Sequence, residues 1–282
     1  MTSQTLAILL GLSASATWGV SDFLGGQQSR RIPALSVVAV SYPAGFVVVG
    51  LVALLAGGSL PADQALLAAL AGVAGAVAIT LFYAAMAIGP VSIVAPVSSL
   101  GVVIPVAVGL ARGEAPGPLQ VAGLVLAIIG IALAVREAEA PHTVRVSRRA
   151  LLLATLAGAG FGLFFTGIDG PASHDPLWTS ATARLGGSVA IGAVLLAAPP
   201  ERGPGFDGLP ILLLIGTLDA GANILVALAT SKGYLSLVAV AASLFPIVTV
   251  LLARVFLSER LERVQQAGVV LALVGVVLIA GG

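Results

Sequence analysis

No cysteine occurs among the 282 residues, which removes thiol redox chemistry, haem attachment and thiolate metal sites. Charge is scarce as well. Asp, Glu, Lys and Arg make up 9% of the chain, against roughly 25% in soluble domains, and so few charges argue against a water-exposed globular surface. The two histidines, His142 and His174, fall outside the long apolar runs, which speaks against a proton relay through imidazole. A net charge of +1 offers no basic face to nucleic acid. No GxxxxGK[ST] or HExxH motif is present, so neither ATP-driven pumping nor zinc hydrolysis finds support. The Gly-Leu-Ser of LLGLSAS is too weak a cue to nominate a serine nucleophile. The chain is therefore not read as an enzyme, and no cofactor or metal is expected.

What fills the chain is apolar: 59% hydrophobic residues, mean hydropathy +1.12 and 35 glycines. The apolar residues form runs of about 20, the length that spans a bilayer core as a helix. A β-barrel would alternate apolar and polar residues, and these continuous runs do not. Abundant glycine suits closely packed membrane helices. Gly/Pro and charge clusters such as GGSLPAD (57–63), RGEAPGP (112–118) and PPERGPGFDG (199–208) separate ten expected helices. These span 4–25, 34–57, 64–88, 91–111, 118–136, 149–168, 176–199, 209–231, 235–256 and 263–281. The first run lacks a basic leader and reads as a spanning helix, not a cleaved signal.

The sequence begins again at its midpoint, beyond the polar stretch REAEAPHTVRVSRR (136–149). At an offset of 143, Gly19 falls on Gly162 and Pro33 on Pro176; at 144, GPVSIVAPVSSL (89–100) falls on GYLSLVAVAASL (233–244). At 145, EAPGPLQVAGLVLAIIGIAL (114–133) falls on ERLERVQQAGVVLALVGVVL (259–278). Five helices per half is an odd number, so the second half must lie inverted relative to the first, a common plan of secondary transporters. The expected fold is an all-α membrane protein: ten transmembrane helices as two inverted five-helix repeats around a central cavity. Its divisions are 1–137, a linker 138–148, and 149–282. Lys and Arg gather in linkers after odd-numbered helices, ten against two, which places both termini outside by the positive-inside rule.

Trp18-Gly19 early in the first helix, with Glu114 to Gly130 and Glu259 to Gly275 opening the fifth and tenth, resembles the EamA family of the drug/metabolite transporter superfamily. The resemblance covers essentially the whole chain. It implies a carrier of a small organic solute in the inner or plasma membrane, export over import, and both termini inside. A Lys common late in the family's first helix has no counterpart in SDFLGGQQSRR. A passive channel or facilitator and an intramembrane enzyme are the alternatives. A channel would show polar rings repeated along one face, and none appears. Partners expected are the solute, the lipid bilayer and protons as candidate coupling ion, in a monomer or homodimer.

Candidate site residues are those an apolar span has no reason to hold. Asp219 lies ten residues into the eighth helix, with Asn223 on the same face one turn on. Asp219 is either a substrate or proton site, or a protonated carboxyl tied to a neighbouring helix. Arg184 is the one base well inside a span; it either binds an anionic group or pairs permanently with Asp219 or Asp22. Asp22 follows a small-residue ridge, Gly11, Ser15 and Gly19, that the repeat copies at Gly158 and Gly162. Asp22 and Asp169 either line a cavity mouth or are solvated at helix ends; GIDGPASHDP reads as a loop, which favours solvation for Asp169. Trp18, Tyr42, Tyr83, Phe165 and Trp178 are candidate wall residues, with Trp178 also placed to anchor at the membrane interface. Ser99 and Ser243 stand beside Pro96, Pro105 and Pro246, where kinks either gate a path or are static. Glu114 and Glu259 read as N-terminal caps of the fifth and tenth helices.

Overall fold

The computed structural model describes residues 3–134, 147–199, 208–257 and 263–281. Over these the chain forms ten helical spans: α1 (Ser3–Ser29), α2 (Ala34–Ala56), α3 (Ala62–Ile88), α4 (Val91–Ala111), α5 (Pro118–Ala134), α6 (Arg148–His174), α7 (Pro176–Ala197), α8 (Leu209–Thr230), α9 (Leu235–Leu257) and α10 (Arg263–Gly281). Eight are long and apolar enough to cross a membrane; α5 is shorter. Two expected ends are corrected. α1 runs on to Ser29 and α6 to His174, so GIDGPASHDP is helical as far as His174. The break falls at Asp175 because its carboxylate accepts from the Leu177 and Trp178 N–H groups, each at 3.0 Å, while Pro176 opens α7.

The molecule exposes many large apolar side chains, while a set of polar ones is buried within its largely apolar interior. Leu55 and Leu196 are 89% exposed, whereas Ser21, Ser41, Ser98, Ser180, Arg184 and Asn223 are buried. This is the distribution expected where lipid replaces water and every polar group must find a partner within the protein.

α4 and α9 are broken at equivalent places. α4 passes from Val91–Ser99 through a 3₁₀ turn, Leu100–Val102, into Val103–Ala111; α9 stops at Ala242 and resumes at Phe245. Pro105 has no N–H for the Gly101 carbonyl and Pro246 none for that of Ala242, so each ladder is interrupted just upstream.

Contacts at the helix ends establish the inversion. The start of α1 meets the end of α8 (Ser3 Oγ to Lys232 O, 2.6 Å). The last turns of α6 meet the end of α4 through Arg112–Asp169 at 2.9 Å. The start of α7 meets the end of α2 (Trp178 Nε1 to Gly57 O, 3.1 Å). α1 therefore runs away from the face that α6 runs toward. Arg112 and Lys232 lie at that face, while Arg30, Arg31, Arg148, Arg149, Arg254 and Arg263 lie at the opposite one.

Close packing repeats across a pseudo-twofold axis. A Cβ on Gly19 would stand 2.9 Å from the Phe245 carbonyl oxygen, and one on Gly162 2.6 Å from that of Gly101. A Cβ on Gly45 would meet the Gly216 carbonyl at 2.8 Å, and one on Gly187 that of Gly72, also at 2.8 Å. Gly72 presses on Ala183 as Gly216 presses on Ser41. These pairs set the offset at 143 for α1/α6 and 144 for α3/α8, but 142 for α2/α7. The match of Pro33 to Pro176 is thus one residue out of register: Pro33 precedes its helix and Pro176 opens its own. α5 and α10 pack chiefly on each other, away from the core of the other eight.

Candidate functional site

Between the halves lies a cavity with an empty volume of about 470 Å³, counting the part open to solvent. Trp18 and Asp22 reach it from α1, Tyr42 from α2, Gly75 and Ile79 from α3, and Asp219 and Asn223 from α8. Phe161, Phe164 and Phe165 come from α6 and Phe245 from the restart of α9. α4 and α7 contribute no residue to its lining.

The offsets pair these residues. Trp18 corresponds to Phe161, Asp22 to Phe165, Asp219 to Gly75 and Asn223 to Ile79. α1 packs on α8, and their counterparts α6 and α3 pack on each other. One wall is therefore polar, and its twofold mate is apolar and aromatic. Tyr42 and Arg184, paired at offset 142, meet on the axis itself, with the guanidinium carbon 4.2 Å from the ring centroid.

Asp219 is held from two sides. One carboxylate oxygen pairs with Arg184 Nη2, and the other accepts from Trp18 Nε1 at 2.7 Å. The first contact joins α7 to α8 within one half; the second crosses from α1 to α8 between halves. Arg184 is 2% exposed and does not line the cavity; its Nη1 is buried without a hydrogen-bond partner among the described residues. Asn223 lines the cavity and donates to the Asp219 backbone carbonyl at 2.6 Å, so it stays on the face shared with Asp219. Asp22 is 4% exposed and lines the cavity with no hydrogen-bond partner among the described residues. Of the two readings open for it, a place on the cavity or solvation near a helix end, the structure has the first: α1 continues for seven residues beyond it.

The other expected residues lie elsewhere. Tyr83 is buried against Gly25 and Phe82 and does not line the cavity. Ser99 donates back to Pro96 O at 2.8 Å, and Ser243 is buried at the break of α9; neither reaches the cavity. Asp169 is helical and ion-paired with Arg112, not free in a loop. Trp178 sits at the start of α7, hydrogen-bonded to Gly57 O. Glu114 does cap a helix, but in the other half: its carboxylate accepts from Leu235 N at 2.6 Å and Ser236 N at 3.1 Å, at the start of α9. Glu259 and His142 lie outside the described residues. Phe161, Phe164 and Phe245 line the cavity without having been foreseen. The offset that carries Gly19 onto Gly162 also carries Trp18 onto Phe161, a signal present in the sequence for one of the three.

The model of the EamA-like transporter family matches residues 5–136 and 148–281, one match for each half. The chain belongs to the EamA-like transporter family. As an EamA-like protein it is a multi-pass membrane transporter, with a small solute and the bilayer as its surroundings. No curated protein matches it. A solved crystal structure, titled only "Crystal structure of protein", matches over 96% of this chain and 95% of its own, with a TM-score of 0.74 at 17% identity; that likeness speaks to the fold alone.

Proposed function

We propose that this EamA-like protein is a secondary active transporter of a small organic solute, working by alternating access. The observation that carries the reading is the cavity between two inverted halves, where a buried acid and base and a set of aromatic rings converge in otherwise apolar spans. The repeats at 1–137 and 149–282, joined by 138–148, are the units that rock about the site. The breaks in α4 and α9 supply bends at equivalent positions in the two halves, suited to helices that change shape as one face closes. Asp219, ion-paired with Arg184, and Asp22, which is unpaired among the described residues, are the site's two acids for proton coupling, with Trp18, Tyr42, Phe165 and Asn223 shaping the site around them. Resemblance favours export across the inner or plasma membrane.

The test is a thermal-stability screen of the purified protein against metabolites, since a ligand of the folded state raises apparent stability, followed by counterflow in proteoliposomes. The proposal predicts that external unlabelled solute accelerates exchange of internal labelled solute. Flux that rises linearly without counterflow would favour a facilitator, and hydrolysis of the stabilising compound would favour an enzyme.

A further inference from the structure

We infer that the cavity recognises a monovalent organic cation, and that Asp22 is the group that meets its charge. This deepens the transporter reading and rests on it. Of the two acids and one base at the site, Asp219 and Arg184 are already spent on each other, and the remaining Asp219 oxygen is taken by the Trp18 indole. Arg184 is recessed behind the wall with Tyr42 over its face, so it presents no free positive charge to a solute. Asp22 alone among the described charged residues faces the cavity without a partner.

A lone carboxylate at so buried a position is stable only with a cation beside it or a proton on it. An anionic solute would meet this carboxylate and no unpaired base to offset it. The opposite wall is lined by the rings of Phe161, Phe164 and Phe165, joined by that of Phe245 from α9, and aromatic rings attract cations most strongly where water is excluded. Trp18 and Phe165 stand edge to face at 5.7 Å between centroids, so the aromatic wall continues to the helix that carries Asp22. The occupant that satisfies both walls has one positive charge and a flat apolar body.

Three probes with one phenyl ring separate the charges: phenethylammonium, 2-phenylethanol and 3-phenylpropionate, titrated calorimetrically into the purified full chain. In the unmodified protein the ammonium should bind at least about tenfold tighter than the alcohol, with the carboxylate weakest. In Asp22→Asn that advantage should shrink to about threefold or less while alcohol binding persists. The inference is overturned if the unmodified protein binds the ammonium no better than the alcohol, or not at all, or if the preference survives Asp22→Asn. The unmodified protein's ranking alone suffices should the variant fail to fold. Counterflow of neutral or anionic solutes without ammonium binding would sink this assignment and leave the transport reading standing. Selective ammonium binding with no counterflow of any solute would do the reverse.

Discussion

The α1–α8 wall and the α3–α6 wall are the same pair of helices seen twice, yet one holds Trp18, Asp22, Asp219 and Asn223 where the other holds Phe161, Phe165, Gly75 and Ile79. What the halves share is backbone fit: Gly19 and Gly162, Gly45 and Gly187, Gly72 and Gly216 each let a neighbouring carbonyl approach. What they do not share is the chemistry facing the cavity. A duplicated frame thus keeps its packing symmetrical while its two walls diverge, and the charge ends up on one side of the axis.

Breaking the polar wall should have the largest effect. Arg184→Met strands Asp219 as an uncompensated, part-buried charge and should cost about 2–4 kcal/mol of stability, below the range for a fully buried pair, measured by denaturation in mixed micelles. Arg184→Met combined with Asp219→Asn should regain most of that loss, because the stranded charge is then gone. The shared frame comes next. Gly72→Ala and Gly216→Ala each push a methyl into the opposing helix's backbone, at Ala183 and Ser41, and each should lose about 1–3 kcal/mol. Closely similar losses would confirm that packing follows the twofold axis; one tolerated and one severe would break the comparison. Trp18→Phe removes the donor to Asp219 and should cost about 1–2 kcal/mol. Its mate Phe161→Trp should gain no compensating bond, since the counterpart of Asp219 there is Gly75. The smallest effect belongs to Asp22→Asn. With no hydrogen bond to lose, stability should change by less than about 1 kcal/mol, in the stabilising direction if the burial of charge dominates.

The helices were legible because Gly/Pro and charge clusters interrupt runs whose length the bilayer dictates, and the inversion followed from five helices per half. α6 was cut short because its Gly, Pro and polar residues look like a loop. The helix carries Pro171 internally and ends only where Asp175 offers its side chain as a cap. Within the site, Asp219, Asn223, Asp22, Trp18, Tyr42 and Phe165 stood out because polar and large aromatic side chains are rare in such runs. The sequence could not tell which acid Arg184 would choose, and that choice depends on α7 packing beside α8. Nor could it separate Phe161, Phe164 and Phe245 from rings that face lipid. Ser99, Ser243 and Tyr83 have the right chemistry but are buried against their own or adjacent helices. Glu114 was read as a cap correctly in kind, but its helix belongs to the other half, a partner that only tertiary packing supplies.

The proposed alternating access requires the cavity to open in turn to each membrane face. The absence of native cysteine allows a direct measurement at the twofold mates that line it, Ile79→Cys and Asn223→Cys, each labelled with an impermeant thiol reagent in right-side-out and in inside-out vesicles. Both positions should react from both sides. Reaction of either cysteine from one side only, under every condition tried, would contradict alternating access.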